Sequence, residues 1–115
     1  MSDLEDKIKE LLKAAFPRAT IKEQYFVKYN GASLIFDFYI PSVGVLVECQ
    51  GAQHYKFVAH FHGTKDEYES ALRRDKLKQE YALKNKMFLL EIPYNKLPAN
   101  HVDLFNQIYE GVNNA

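Results

Sequence analysis

An α/β fold, a mixed four-stranded sheet flanked by helices, is predicted by three features of this sequence. Leu4, Ile8, Leu11, Leu12, Ala15 and Phe16 recur at helical spacing before Pro17 stops the run. Two runs rich in β-branched and aromatic residues, Leu34–Ile40 and Val45–Gln50, are joined by the turn Pro41-Ser42-Val43-Gly44. A long charged segment then separates the second run from another apolar run, Met87–Ile92. That last pattern is a strand–helix–strand crossover. It predicts a parallel, right-handed connection beside the antiparallel hairpin.

Taken in order, the elements are as follows. Ser2-Asp3-Leu4-Glu5 is a capping-box pattern with Ser2 as N-cap, opening a helix over about residues 3–16. Residues 20–29 read as a first strand ended by Asn30-Gly31, and the hairpin supplies strands two and three. Gly51 breaks the third strand, and residues 52–64 are irregular and rich in aromatics and histidine. A helix is expected from about Lys65 to Lys86, with Tyr68, Ala71, Leu72, Gln79, Ala82 and Leu83 on its inner face. Residues 87–92 form the fourth strand, closed by Pro93, and a last helix runs from Asn100 to Val112. The order is α-β-β-β-α-β-α.

The 115 residues suit one domain with a single packed core. Apolar residues make up 47% and charged ones 26%, which is incompatible with wholesale disorder. No apolar run nears the roughly 20 residues that span a bilayer, and no signal-peptide pattern opens the chain. A lone cysteine, Cys49, excludes an internal disulfide and a Cys-rich zinc site, so a cytoplasmic setting is the default. Formal net charge is zero, so whole-molecule charge does not announce a nucleic-acid binder. Arg73-Arg74-Asp75-Lys76-Leu77-Lys78 is locally basic, either a contact surface or a solvated helix face.

Asp37 and Glu48 place charge where a strand should bury apolar side chains. If Ile40 and Val45 close the hairpin, paired positions sum to 85, and Asp37 falls opposite Glu48. Like charges so placed repel unless a cation lies between them, and a divalent metal is the simplest. The ordinary alternative is a strand-end carboxylate meeting a lysine. Gln50, two residues past Glu48, shares its face, and His54 follows just after the strand ends. Beside a metal pair His54 becomes a candidate general acid or base. Asp75 lies in the middle of the inner stripe of the long helix and requires a partner there.

Phe36-Asp37-Phe38, Val47-Glu48-Cys49-Gln50-Gly51, Gln53-His54-Tyr55, Arg74-Asp75-Lys76-Leu77-Lys78 and Leu90-Glu91-Ile92-Pro93 together resemble the PD-(D/E)xK nuclease superfamily. Within it they are most similar to very-short-patch-repair endonucleases and phage homing nucleases with an E-D-x-H-D signature. The resemblance covers about residues 2–94 and implies a restriction-endonuclease-like αβββαβ core. By position it implies catalytic roles for Glu5, Asp37, Glu48, Gln50, His54 and Asp75, and metal ligation by Asp37, Glu48 and the Cys49 carbonyl. Where the superfamily places a lysine this chain has Gln50, so the positive charge must come from His54, Lys76 or Lys78.

The expected function is a Mg²⁺-dependent DNA endonuclease or nickase, with Mn²⁺ as a substitute ion. The alternative is a catalytically silent nucleic-acid-binding or assembly module that retains the fold. Expected DNA contacts are Tyr55, Lys56, His62, Arg73, Arg74 and Lys78, from an aromatic-basic loop and the basic cluster. No zinc finger or helix-turn-helix pattern appears, so selectivity would come from DNA shape, a homodimer or a separate recognition subunit. No membrane partner is expected.

Overall fold

The computed structural model of the chain describes residues 3–51 and 64–114. Its elements are α1 (Asp3–Ala15), β1 (Lys22–Tyr29), β2 (Ala32–Ile40), β3 (Val45–Gln50), α2 (Lys65–Lys84), β4 (Phe88–Pro93) and α3 (His101–Asn114). The strands form one sheet in the order β1-β2-β3-β4. β1, β2 and β3 are antiparallel neighbours, and β4 lies parallel to β3. The element order and the mixed sheet agree with the sequence reading.

Two apolar layers cover the two faces. On one, Ile8 and Leu12 of α1 and Leu104 and Ile108 of α3 pack on Phe38, Ile40, Val45, Val47, Leu90 and Ile92. On the other, α2 lays Ala82, with Leu77 and Tyr81, over Leu34, Phe36 and Leu46. α2 therefore matches the expected stripe only in part, with Ala82 buried and Tyr68, Ala71 and Asp75 half-buried. Leu83 is 82% exposed and Leu72 42%, whereas Leu77 and Tyr81, outside that stripe, are packed. Periodicity misled because the helix buries few apolar residues, so polar Asp75 and Lys78 share its half-buried face.

The helix ends follow local chemistry. The Thr64 hydroxyl accepts from the Glu67 amide at 3.1 Å, capping the start of α2. At its end Lys86 N–H donates to Leu83 O and Met87 N–H to Ala82 O, a Schellman arrangement. Lys86 occupies the left-handed position, at φ 56°, where glycine is usual. α3 opens on a reciprocal cap, in which Asn100 Oδ1 accepts from Asp103 N–H and Asp103 Oδ2 from Ala99 N–H. Ser2, the N-cap expected for α1, lies outside the described residues.

The sheet contains one irregularity. Along the β1–β2 ladder the partners always sum to 61, from Lys22↔Tyr39 to Tyr29↔Ala32, yet the rung Gln24/Asp37 is missing. Gln24 has a positive φ of 49°. Side-chain alternation slips by one residue there: Leu34 and Phe36 face α2, whereas Phe38 and Ile40 face α1 and α3. β1 slips in step, since Tyr25 packs on the α2 side and Glu23 pairs with Lys9 of α1. Each strand thus carries one extra residue at the same height, and the register survives on both sides.

Candidate active site

The hairpin register is the expected one. Phe38↔Val47, Tyr39↔Leu46 and Ile40↔Val45 all sum to 85. These pairs end one position before Asp37 and Glu48, and the two carboxylates do not project from a common face. Asp37 sits at the slip in β2, between Phe36 on the α2 side and Phe38 on the α1 side. It reaches across to β3, where its Oδ2 accepts from the Cys49 amide at 2.7 Å. Glu48 projects towards α2, where its Oε1 takes the Lys78 ammonium at 3.0 Å. The expectation of a simple opposed pair is corrected on this point. The physical reason is the extra residue, which rotates Asp37 out of the alternation that a regular ladder would impose.

The carboxylates are nevertheless electrostatically coupled. Glu48 is 7% exposed, and its pKa is raised to about 7. Burial is the largest cause and the Asp37 charge adds to it, against the pull of Lys78 and a hydrogen bond from the Asp37 backbone amide. Glu5, on the first turn of α1, is also raised, first by burial and then by Asp37. Gln24 Nε2 donates to Glu5 Oε2 at 3.3 Å. Burial pushes the Cys49 thiol up, with help from Asp37, so it is no nucleophile; its side chain packs against the α1 layer.

Gln50 shares the α2 side of β3 with Glu48, as expected from the two-residue period. Its Nε2 donates to Glu91 Oε2 of β4. Glu91 is the lateral neighbour of Glu48 in the parallel ladder. No role was expected for Glu91, although an acid inside Leu90-Glu91-Ile92 is the same anomaly that singled out Glu48. Gln24 was also missed, and nothing in its sequence surroundings marks it. Asp75 lies one helical turn before Lys78, half-buried, beside a shallow cavity of about 250 Å³ lined also by Ser33, Ile35, Ala71 and Arg74.

The site residues therefore divide into three groups. Asp37 acts on both Glu5 of α1 and Glu48 of β3, while Glu48 and Gln50 share the α2 side with Lys78 and Glu91. Asp75 is on the adjoining helix face. His54, Tyr55, Lys56 and His62 lie outside the described residues. Of the expected DNA contacts, Arg73 is exposed and bonds Ser70 on its own helix, and Arg74 is exposed at the cavity rim. Lys78 turns inward, its side chain only 15% exposed. Among the described residues no three His, Cys, Asp or Glu side chains are already arranged around a metal position. The donor chemistry fits a hard divalent cation all the same: carboxylate oxygens, with Glu5 and Glu48 disfavoured in their charged form by burial and by the Asp37 charge. No helix among the described residues is long and apolar enough to cross a membrane.

No family profile matches the chain, and no solved structure matches it. Uncharacterized protein 307L of Invertebrate iridescent virus 6 is 40% identical over 67 residues, 58% of this chain and 34% of that relative. Uncharacterized protein 033L of Invertebrate iridescent virus 3 is 38% identical over 65 residues, covering 56% and 34% respectively. This chain spans about a third of the length of the curated relatives it matches.

Proposed function

We propose that this chain is a restriction-endonuclease-like domain that cleaves DNA phosphodiester bonds with the help of a divalent metal. The observation that carries the reading is the placing of Asp37, at a break in the sheet, where its charge acts on both Glu5 of α1 and Glu48 of β3. There Glu48 is buried and its ionisation is disfavoured. A structural role rarely calls for a carboxylate that opposes the ionisation of two partly buried neighbours. Asp37, Glu48 and the Cys49 carbonyl would hold Mg²⁺, or Mn²⁺ in its place. When bound, that ion would supply Lewis acidity at a phosphoryl oxygen.

The chain's own groups supply the rest. Lys78, already against Glu48, provides the cation missing from position 50 and would move its charge towards the phosphate once a metal satisfies Glu48. Gln50, held by Glu91, orients the β3 end rather than contributing charge. His54 is the proposed proton carrier, and Asp75 would orient it. Arg73, Arg74 and the segment containing Tyr55, Lys56 and His62 would contact the DNA backbone, with a second copy or a separate subunit adding selectivity. Incubation with supercoiled plasmid plus Mg²⁺ or Mn²⁺, with and without chelator, is the direct test. Nicked or linear product from wild type, absent for Asp37→Asn and Glu48→Gln, is expected.

A second reading is a silent nucleic-acid-binding or assembly module. The Lys78–Glu48 ion pair and the Gln50–Glu91 hydrogen bond favour it, because they partner these carboxylates without any metal. DNA binding unaffected by chelator, with no cleavage and no Mn²⁺ heat in calorimetry, would select it.

A further inference from the structure

The paired irregularity at Gln24 and Asp37 is unusual in both its members. An extra residue in one strand makes an ordinary bulge. Here both strands carry one, and the ladder resumes without a register change. The β1 member is a non-glycine residue at φ 49°, a conformation that costs energy for any residue with a Cβ. It stands directly across the missing rung from Asp37, and its side-chain amide donates to Glu5, the carboxylate that Asp37 in turn raises. Gln24 therefore meets the cluster in two ways: its backbone stands opposite Asp37 in register, and its side chain bonds Glu5.

We propose that Gln24 is a positioning residue for the carboxylate cluster, an inference that rests on reading the cluster as a metal site. Its left-handed backbone absorbs the extra residue of β1, which lets β2 carry its own extra residue at Asp37. Without that slip Asp37 would alternate between Phe36 and Phe38 and project from a face, away from the Cys49 amide. With it, the carboxylate lies towards β3, where its Oδ2 accepts from the Cys49 amide. The Gln24 amide meanwhile holds Glu5 beside Asp37. Backbone strain of this kind is maintained where the surroundings over-determine it and a site uses the result.

The experiment compares Gln24→Gly, which keeps the left-handed backbone and drops the amide, with Gln24→Val, whose branched side chain opposes that backbone. If Gln24→Val fails to fold, Gln24→Ala replaces it. Two readouts are used on the whole chain: hydrogen exchange of the Cys49 amide relative to Val47 in metal-free protein, and Mn²⁺ affinity by calorimetry. Gln24→Gly is expected to keep Cys49 protection and lose some affinity. Gln24→Val is expected to expose the Cys49 amide selectively and to weaken Mn²⁺ binding by about 10–100-fold. Unchanged Cys49 protection in Gln24→Val overturns the proposal, as does selective exposure with unchanged Mn²⁺ affinity. Selective Cys49 exposure in a protein whose wild type binds no Mn²⁺ would leave the positioning role standing and remove the metal reading instead.

Discussion

Replacing Glu48 with glutamine should stabilise the metal-free protein at alkaline pH, although it deletes half of a buried ion pair. Burial and the Asp37 charge together outweigh Lys78, so the carboxyl holds its proton to about pH 7 rather than 4.5. The sign follows directly. Between those values the native chain binds more protons at Glu48 than the unfolded chain, so this group's contribution to stability falls as pH rises. Its contribution is intact below 4.5 and lost above 7. At about 1.4 kcal/mol per tenfold in proton affinity, the loss reaches about 3 kcal/mol. Glutamine mimics the protonated carboxyl and does not suffer it. Thermal melts in chelator at pH 8.5 should place Glu48→Gln above wild type by about 10 °C, with the gap shrinking to under about 1 kcal/mol at pH 5. Added Mg²⁺ should raise the melting temperature of wild type and not of the mutant. A Glu48→Gln protein less stable than wild type at pH 8.5 would refute the reasoning and make the Lys78 pair a net stabilising structural bridge.

The remaining predictions turn on partners found in the fold. Asp37→Ala leaves the half-buried Cys49 amide without its acceptor and should lose about 1–3 kcal/mol in chemical denaturation, whereas Asp37→Asn keeps an acceptor and loses less; neither should cleave plasmid. Lys78→Met strands the Glu48 charge and should cost about 2–4 kcal/mol at pH 8.5, less at pH 5. The Lys78→Met/Glu48→Gln double mutant should recover most of that loss, a non-additivity measurable by urea unfolding. Lys86→Gly relieves a left-handed residue at an exposed helix end and should stabilise by about 0.5–1 kcal/mol in the same assay, leaving cleavage unchanged.

Much of this molecule was legible in local patterns, because those patterns are set by near neighbours in the chain. Apolar spacing marked α1, the Pro41–Gly44 turn marked the hairpin, and pairing outward from Ile40 and Val45 gave the observed register. The crossover from β3 to β4 had to be parallel, and it is. Acids inside apolar strands drew attention to Asp37 and Glu48, since burial of charge is costly wherever it occurs. Other features depended on residues distant in sequence. The inner face of α2 was misjudged in part because Leu77, Lys78 and Tyr81 join Asp75 on its half-buried side, and only the sheet beneath decides which groups find partners. Lys78 was one of three candidate cations and an expected DNA contact, and only the fold set it against Glu48, 30 positions earlier. Glu91 joined the cluster only through parallel pairing, and Gln24 only through a slip that two strands make together. Periodicity assigns a side chain to a face on the premise that the ladder is regular. Where two strands break that premise at one height, the direction of Asp37 is decided by tertiary contacts alone.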